Sequence, residues 1–235
     1  MQKLIIFSKI SRLEHYFNMA TRKFGTCFFE QYAQISLSAL LGSEFDCLLN
    51  MDRPDLQSPD GKSIGIEVTR AMEESKQAEM ALLKDVAGVT KGEDRHDIDQ
   101  ILEYGYSFGL QGGKYIGLKE FSYWSMALPL RRILESKVSK AGNGFYGHFA
   151  KMGLFVFSRE NLGATEAVKA MKYTISLQQY QDIRYNRLYI ADVDDLFVCN
   201  LDDGLKDDSR LIRYRITQEQ RQTFYHEAIE LQKQQ

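Results

Sequence analysis

Cysteine is scarce in this chain: Cys27, Cys47 and Cys199 are scattered and odd in number. That excludes a disulfide framework and a paired-cysteine zinc spacing, and points to a reducing cytosol. Histidine is almost as thin. His15, His96, His148 and His226 lie far apart, and none has a histidine or cysteine partner at i+3 or i+4, which argues against zinc hydrolysis. No Gly-x-Ser-x-Gly elbow frames a serine nucleophile. Gly112-Gly113 has no strand before it and no Gly-Lys-Ser/Thr after it, so it is not a phosphate loop. No segment approaches the ~18 consecutive apolar residues of a membrane helix. The apolar run Leu4-Ile5-Ile6-Phe7 meets Ser8, Lys9 and Arg12 too soon for a signal peptide.

A large charge of one sign is also missing. The net charge is −2 and the pI about 6.1, which counts against a nucleic-acid binder. The distribution is uneven, however. From Lys114 to Lys172 ten bases face four acids, giving +6 and leaving −8 for the remainder. Such a segment can track a phosphate backbone, or it can be a set of solvated helix faces. With 44% hydrophobic and 26% charged residues, the composition is that of an ordinary globular protein. Its 235 residues suit one domain, 1–235, with an insertion at about 88–117. Gly88, Gly92, Gly105, Gly109, Gly112, Gly113 and Gly117 crowd that insertion, beside a charged patch from Lys91 to Asp97.

Periodicity predicts helices over 11–41, broken at Gly25 and ended by Gly42, and over 71–86, 123–141, 165–181 and 217–231. Pro129 either starts the third of these or kinks it. Thr217-Gln218-Glu219-Gln220 opens the last as a capping box. Strands are expected at 45–50, 54–58, 63–69, 153–157 and 186–191, with an edge strand at 211–216. The uniformly apolar 153–157 reads as covered on both faces. Strands interspersed with helices make an α/β protein: a central mixed β-sheet flanked by helices.

The richest stretch runs from Arg53-Pro54-Asp55-Leu56 to Glu67-Val68-Thr69-Arg70. Ser58-Pro59-Asp60-Gly61-Lys62-Ser63 lies between, a strong turn signal. A three-residue loop at Asp60, Gly61 and Lys62 pairs Pro59 with Ser63 and sets Asp55 opposite Glu67. Opposed residues have Cβ atoms roughly 4.5–5.5 Å apart, and two carboxylates there repel unless a cation lies between them. A two-residue Asp60-Gly61 turn would instead send Asp55 to the other face.

Together with these residues, the order of elements resembles the PD-(D/E)XK nuclease superfamily, whose core bears a metal-binding Asp and a Glu-x-Lys tripeptide on adjacent strands. A helix with Glu30 comes first, then strands carrying Asp55 and Glu67, then a basic helix around Lys137 and Lys140, then a buried strand at 154–157. The resemblance implies a restriction-endonuclease-like core and metal-dependent hydrolysis of phosphodiesters in nucleic acid, DNA in particular. It implies Mg²⁺ or Mn²⁺ held by Asp55 and Glu67, with Glu30 and the backbone carbonyl of Val68. A cytoplasmic location and a homodimer fit this reading. The chain departs from the pattern at Thr69, where the family has Lys. Thr can hydrogen-bond a water but carries no charge. Lys137 or Lys140 would supply the missing cation, while Arg70 alternates to the opposite face. The competing expectation is a non-catalytic module of the same fold that binds nucleic acid or a protein.

Two further clusters have plainer readings. Asp192, Asp194, Asp195, Asp202, Asp203, Asp207 and Asp208 lack a calcium-loop spacing and read as solvated turns. Phe145, Tyr146 and Phe149, beside His148, read as core or loop anchors, with stacking on bases as the alternative.

Overall fold

The computed structural model describes residues 28–71, 110–111, 114–115, 128–158, 162–202 and 210–233. The expected helices over 11–25 and 72–86, most of the insertion, and Asp203, Asp207 and Asp208 lie outside them. Helix α1 (Phe28–Leu41) is followed by a 3₁₀ turn (Ser43–Phe45) and by β1 (Leu49–Asn50), β2 (Leu56–Gln57) and β3 (Ile64–Ala71). Between β3 and α2 in sequence, β4 (Leu110–Gln111) and β5 (Lys114–Tyr115) pair antiparallel. Then come α2 (Leu128–Gly142), β6 (Lys151–Ser158), α3 (Ala164–Leu177), β7 (Arg187–Ala191), β8 (Asp195–Asn200), β9 (Leu211–Arg215) and α4 (Gln218–Lys233).

Seven strands form one mixed sheet in the order β1-β2-β3-β6-β7-β8-β9. The centre, β3-β6-β7, is parallel, and the other pairings are antiparallel. The steps from β3 to β6 and from β6 to β7 go the same way across the sheet. Right-handed crossovers then put both connecting helices on one face, and α2 and α3 do pack together there. On the other face, α1 and α4 cover Ile66, Phe155, Phe157 and Tyr189. Strand β6 is therefore sandwiched, with Leu154, Phe155, Val156 and Phe157 all buried completely. This is the environment its unbroken apolar run predicts.

No strand is expected where β8 lies, and four further sequence expectations need correction. The strand expected at 45–50 starts only at Leu49, because Ser43–Phe45 coil into the 3₁₀ turn. The strand expected at 54–58 shrinks to Leu56–Gln57. Ala71 ends β3 rather than opening a helix. Asp192 and Asp195 are buried rather than solvated. They form the tight β7–β8 turn, in which the Asp192 carboxylate accepts from the backbone N–H groups of Asp194 and Asp195 at 2.9 and 2.7 Å. Asp195 is then paired with Arg213 of β9 at 2.6 Å.

The capping box of α4 is formed as expected. Thr217 N–H donates to the Gln220 side chain at 2.9 Å, and Gln220 N–H to the Thr217 hydroxyl at 3.2 Å. Pro129 sits in the first turn of α2, where its missing N–H costs nothing.

Candidate active site

The β2–β3 hairpin adopts the register that opposes Asp55 and Glu67, with Leu56 paired to Ile66 and Gln57 to Gly65. The turn sets this register. Gly61 takes φ +64°, a left-handed conformation open to glycine at little cost. Asp60 Oδ1 accepts from the backbone N–H groups of Lys62 and Ser63, each at 2.9 Å, and from the Ser58 hydroxyl. These bonds stabilise its charge and hold its pKa below the usual carboxylate range. Gly65 is required for a second reason. A Cβ there would lie 2.7 Å from the Phe149 ring and 2.9 Å from Pro54, so the chain leading to Asp55 can close down only over glycine.

Strand β2 ends its ladder before it reaches Val68, and the Asp55 side chain takes over. Its Oδ2 accepts from Val68 N–H at 2.7 Å, while its backbone carbonyl accepts from Met51 N–H at 2.8 Å. Arg53, just upstream, has φ +67°, a conformation that costs a non-glycine residue roughly 1–2 kcal/mol. Alternation then turns Glu67 and Thr69 toward α2, and both are buried. Arg70 turns the other way, its guanidinium 4.7 Å from the centre of the Phe29 ring.

Helix α2 brings Lys137 to this point. Its Nζ lies 2.5 Å from Glu67 Oε1, and the two side chains are 6% and 8% exposed. Of the two lysines singled out from the sequence, Lys137 is therefore the one that meets the acids. Lys140 Nζ stands over the Phe145 ring, 5.4 Å from its centre. On α1, Glu30 accepts from the Asn50 side chain at 2.6 Å, and it lies close enough to Asp55 to repel it. Burial pushes the Asp55 carboxyl up to about 8, helped by the charges of Glu67 and Glu30 and opposed by Val68 N–H and Lys137.

Two tyrosines complete the wall, and sequence reasoning gave them no role here. Tyr185 donates to the Lys137 carbonyl at 3.4 Å. Tyr146 is 3% exposed; burial and the neighbouring Glu67 raise its pKa, while Tyr185 opposes the shift. Its hydroxyl nevertheless makes no hydrogen bond of ordinary geometry. Proximity across the fold places both tyrosines, so no local signal marks them.

Among the described residues no group of three or more His, Cys, Asp or Glu side chains is arranged to hold a metal ion. Glu30 instead accepts from Asn50, and Glu67 from Lys137. Asp55 and Glu67 still offer hard oxygen donors of the kind Mg²⁺ takes. Comparison with protein-family models, curated proteins and solved structures finds no match to this chain.

Proposed function

We propose that this protein is a metal-dependent phosphodiesterase acting on DNA, with a restriction-endonuclease-like core. One observation carries the reading: Asp55 and Glu67 face each other across a hairpin beside Glu30, with a buried lysine ammonium on Glu67. The element order α1-β1-β2-β3-α2-β6 is also the order the resemblance implies. Asp55 and Glu67, with Glu30 and the Val68 carbonyl, would hold Mg²⁺ or Mn²⁺. Such an ion lowers the pKa of bound water and stabilises charge on a phosphate.

The chain's own residues divide the remaining work. Val68 N–H fixes the Asp55 carboxylate. Thr69, on the Glu67 face of β3, offers a hydroxyl to orient the attacking water. Lys137 supplies the positive charge that Thr69 cannot, from a helix rather than from the strand. Incubation with single- and double-stranded DNA in Mn²⁺ tests the reading. Wild type should cleave and Asp55→Ala/Glu67→Ala should not. A folded wild type that neither cleaves nor binds Mn²⁺ refutes it.

The second reading is a non-catalytic module that binds nucleic acid. The Lys137–Glu67 pair favours it, because that ammonium already neutralises one of the two central acids. Binding of DNA without cleavage would select it.

A further inference from the structure

Beyond the acids, the loop after α2 carries a second feature. Phe145 is 46% exposed, although the residue beside it is buried. Two cations lie over its ring: the Arg53 guanidinium carbon at 5.0 Å and Lys140 Nζ at 5.4 Å from the centre. Both belong to elements that build the acid site. Arg53 precedes Asp55 by two residues, and Lys140 follows Lys137 by about one helical turn. Tyr146 meets the Phe145 ring edge-on at 5.2 Å and reaches inward to Glu67. The Phe145-Tyr146 pair thus runs from solvent to the carboxylates. It is held by a backbone bond from Phe145 N–H to the Lys140 carbonyl at 3.1 Å.

We propose that Phe145, Arg53 and Lys140 form a nucleotide subsite beside the acid cluster, taking an unpaired base on the ring and the flanking phosphates on the two cations. This inference rests on the phosphodiesterase reading and deepens it by naming the substrate as single-stranded or frayed polynucleotide. Aromatic rings stack any base, because every base has a π-face. In a duplex those faces are covered by neighbouring pairs, so only an unpaired base can use Phe145. Attraction to the ring holds the cations near it before a strand arrives. Arg53 also pairs with Asp52 at 3.3 Å, and its side chain remains 59% exposed to meet a phosphate.

Binding by the full chain, followed by fluorescence anisotropy in Ca²⁺, tests the subsite. The probes are a labelled oligothymidine, an abasic strand of equal length and a blunt duplex of equal length. Wild type should prefer oligothymidine to the abasic strand. Phe145→Leu should weaken oligothymidine binding about 5- to 100-fold and leave the other two probes unchanged. Arg53→Gln and Lys140→Gln should weaken all three, each lowering the salt slope by about one. Equal binding of oligothymidine by wild type and Phe145→Leu overturns the proposal, as does failure of wild type to bind it. Cleavage in Mn²⁺ is scored separately. Binding that depends on Phe145 without cleavage refutes the hydrolytic reading alone, whereas cleavage with binding indifferent to Phe145 refutes the subsite alone.

Discussion

Replacing Lys137 by methionine keeps most of the side-chain volume and removes the ammonium that faces Glu67. Both partners are more than nine-tenths buried, so water cannot solvate the carboxylate left behind. Asp55 stands close by, and its own carboxyl is drawn down by Lys137 and pushed up by Glu67. Losing the lysine therefore strands two interacting acids. Removing one partner of a buried ion pair costs about 3–5 kcal/mol. With a urea slope of about 2–3 kcal/mol/M, the unfolding midpoint of Lys137→Met should fall by about 1–2.5 M. Glu67→Gln/Lys137→Met supplies the control. It leaves no buried charge at the pair, and neutral replacements of buried pairs are often tolerated or stabilising. The double variant should therefore recover most of the loss, giving a positive coupling in the cycle. Urea titration followed by both fluorescence and circular dichroism, with coincident curves, makes the comparison valid. A Lys137→Met midpoint equal to wild type would refute the buried ion pair, and so would a double variant no better than the single.

Asp55 makes the metal-free protein sensitive to pH. Its raised pKa lets the native state bind more protons than the unfolded chain between the ordinary carboxylate range and about 8. Stability should fall as pH rises through that window, by at most about 1.4 kcal/mol per pH unit from this group. Asp55→Asn should flatten the trend, and an unchanged slope in urea midpoints across pH would contradict the assignment. Gly65→Ala should cost about 1–3 kcal/mol, because its methyl displaces Phe149 and Pro54. It should also weaken Mn²⁺ binding by shifting Asp55, which calorimetry would detect. Thr217→Ala removes half of the α4 capping box and should lower stability by about 1 kcal/mol. Thermal unfolding checks this, and no change would mean that the cap is idle.

The hairpin was legible because its determinants are local. Pro59, Asp60 and Gly61 encode the turn, but the turn residues admit two registers, and the folded hairpin selects the one that opposes Asp55 and Glu67. Strand β6 was legible because a fully sandwiched strand needs no polar face. Strand β8 was missed for a different reason. Its flanking aspartates were read as solvated turns, and the apolar run Leu196-Phe197-Val198-Cys199 between them was the overlooked strand signal. The choice between Lys137 and Lys140 was closed to sequence reasoning, since three positions on a helix differ only in how that helix docks. Tyr146 was hidden likewise, because what brings it to Glu67 is the packing of α2 across the sheet.

The two ends of the sheet bear on how copies of the chain meet. An open sheet edge presents unpaired N–H and C=O groups, a template on which another strand can add. Among the described residues one edge is β1, only two residues long, too short to recruit a partner strand. The other is β9, Leu211–Arg215, where Arg213 and Arg215 reach back to Asp194 and Asp195. A second β9 approaching this edge would bring its own arginines against these. Among the described residues, brevity limits pairing at the β1 edge, and at the β9 edge an added strand would meet charged arginines and the half-exposed Ile212.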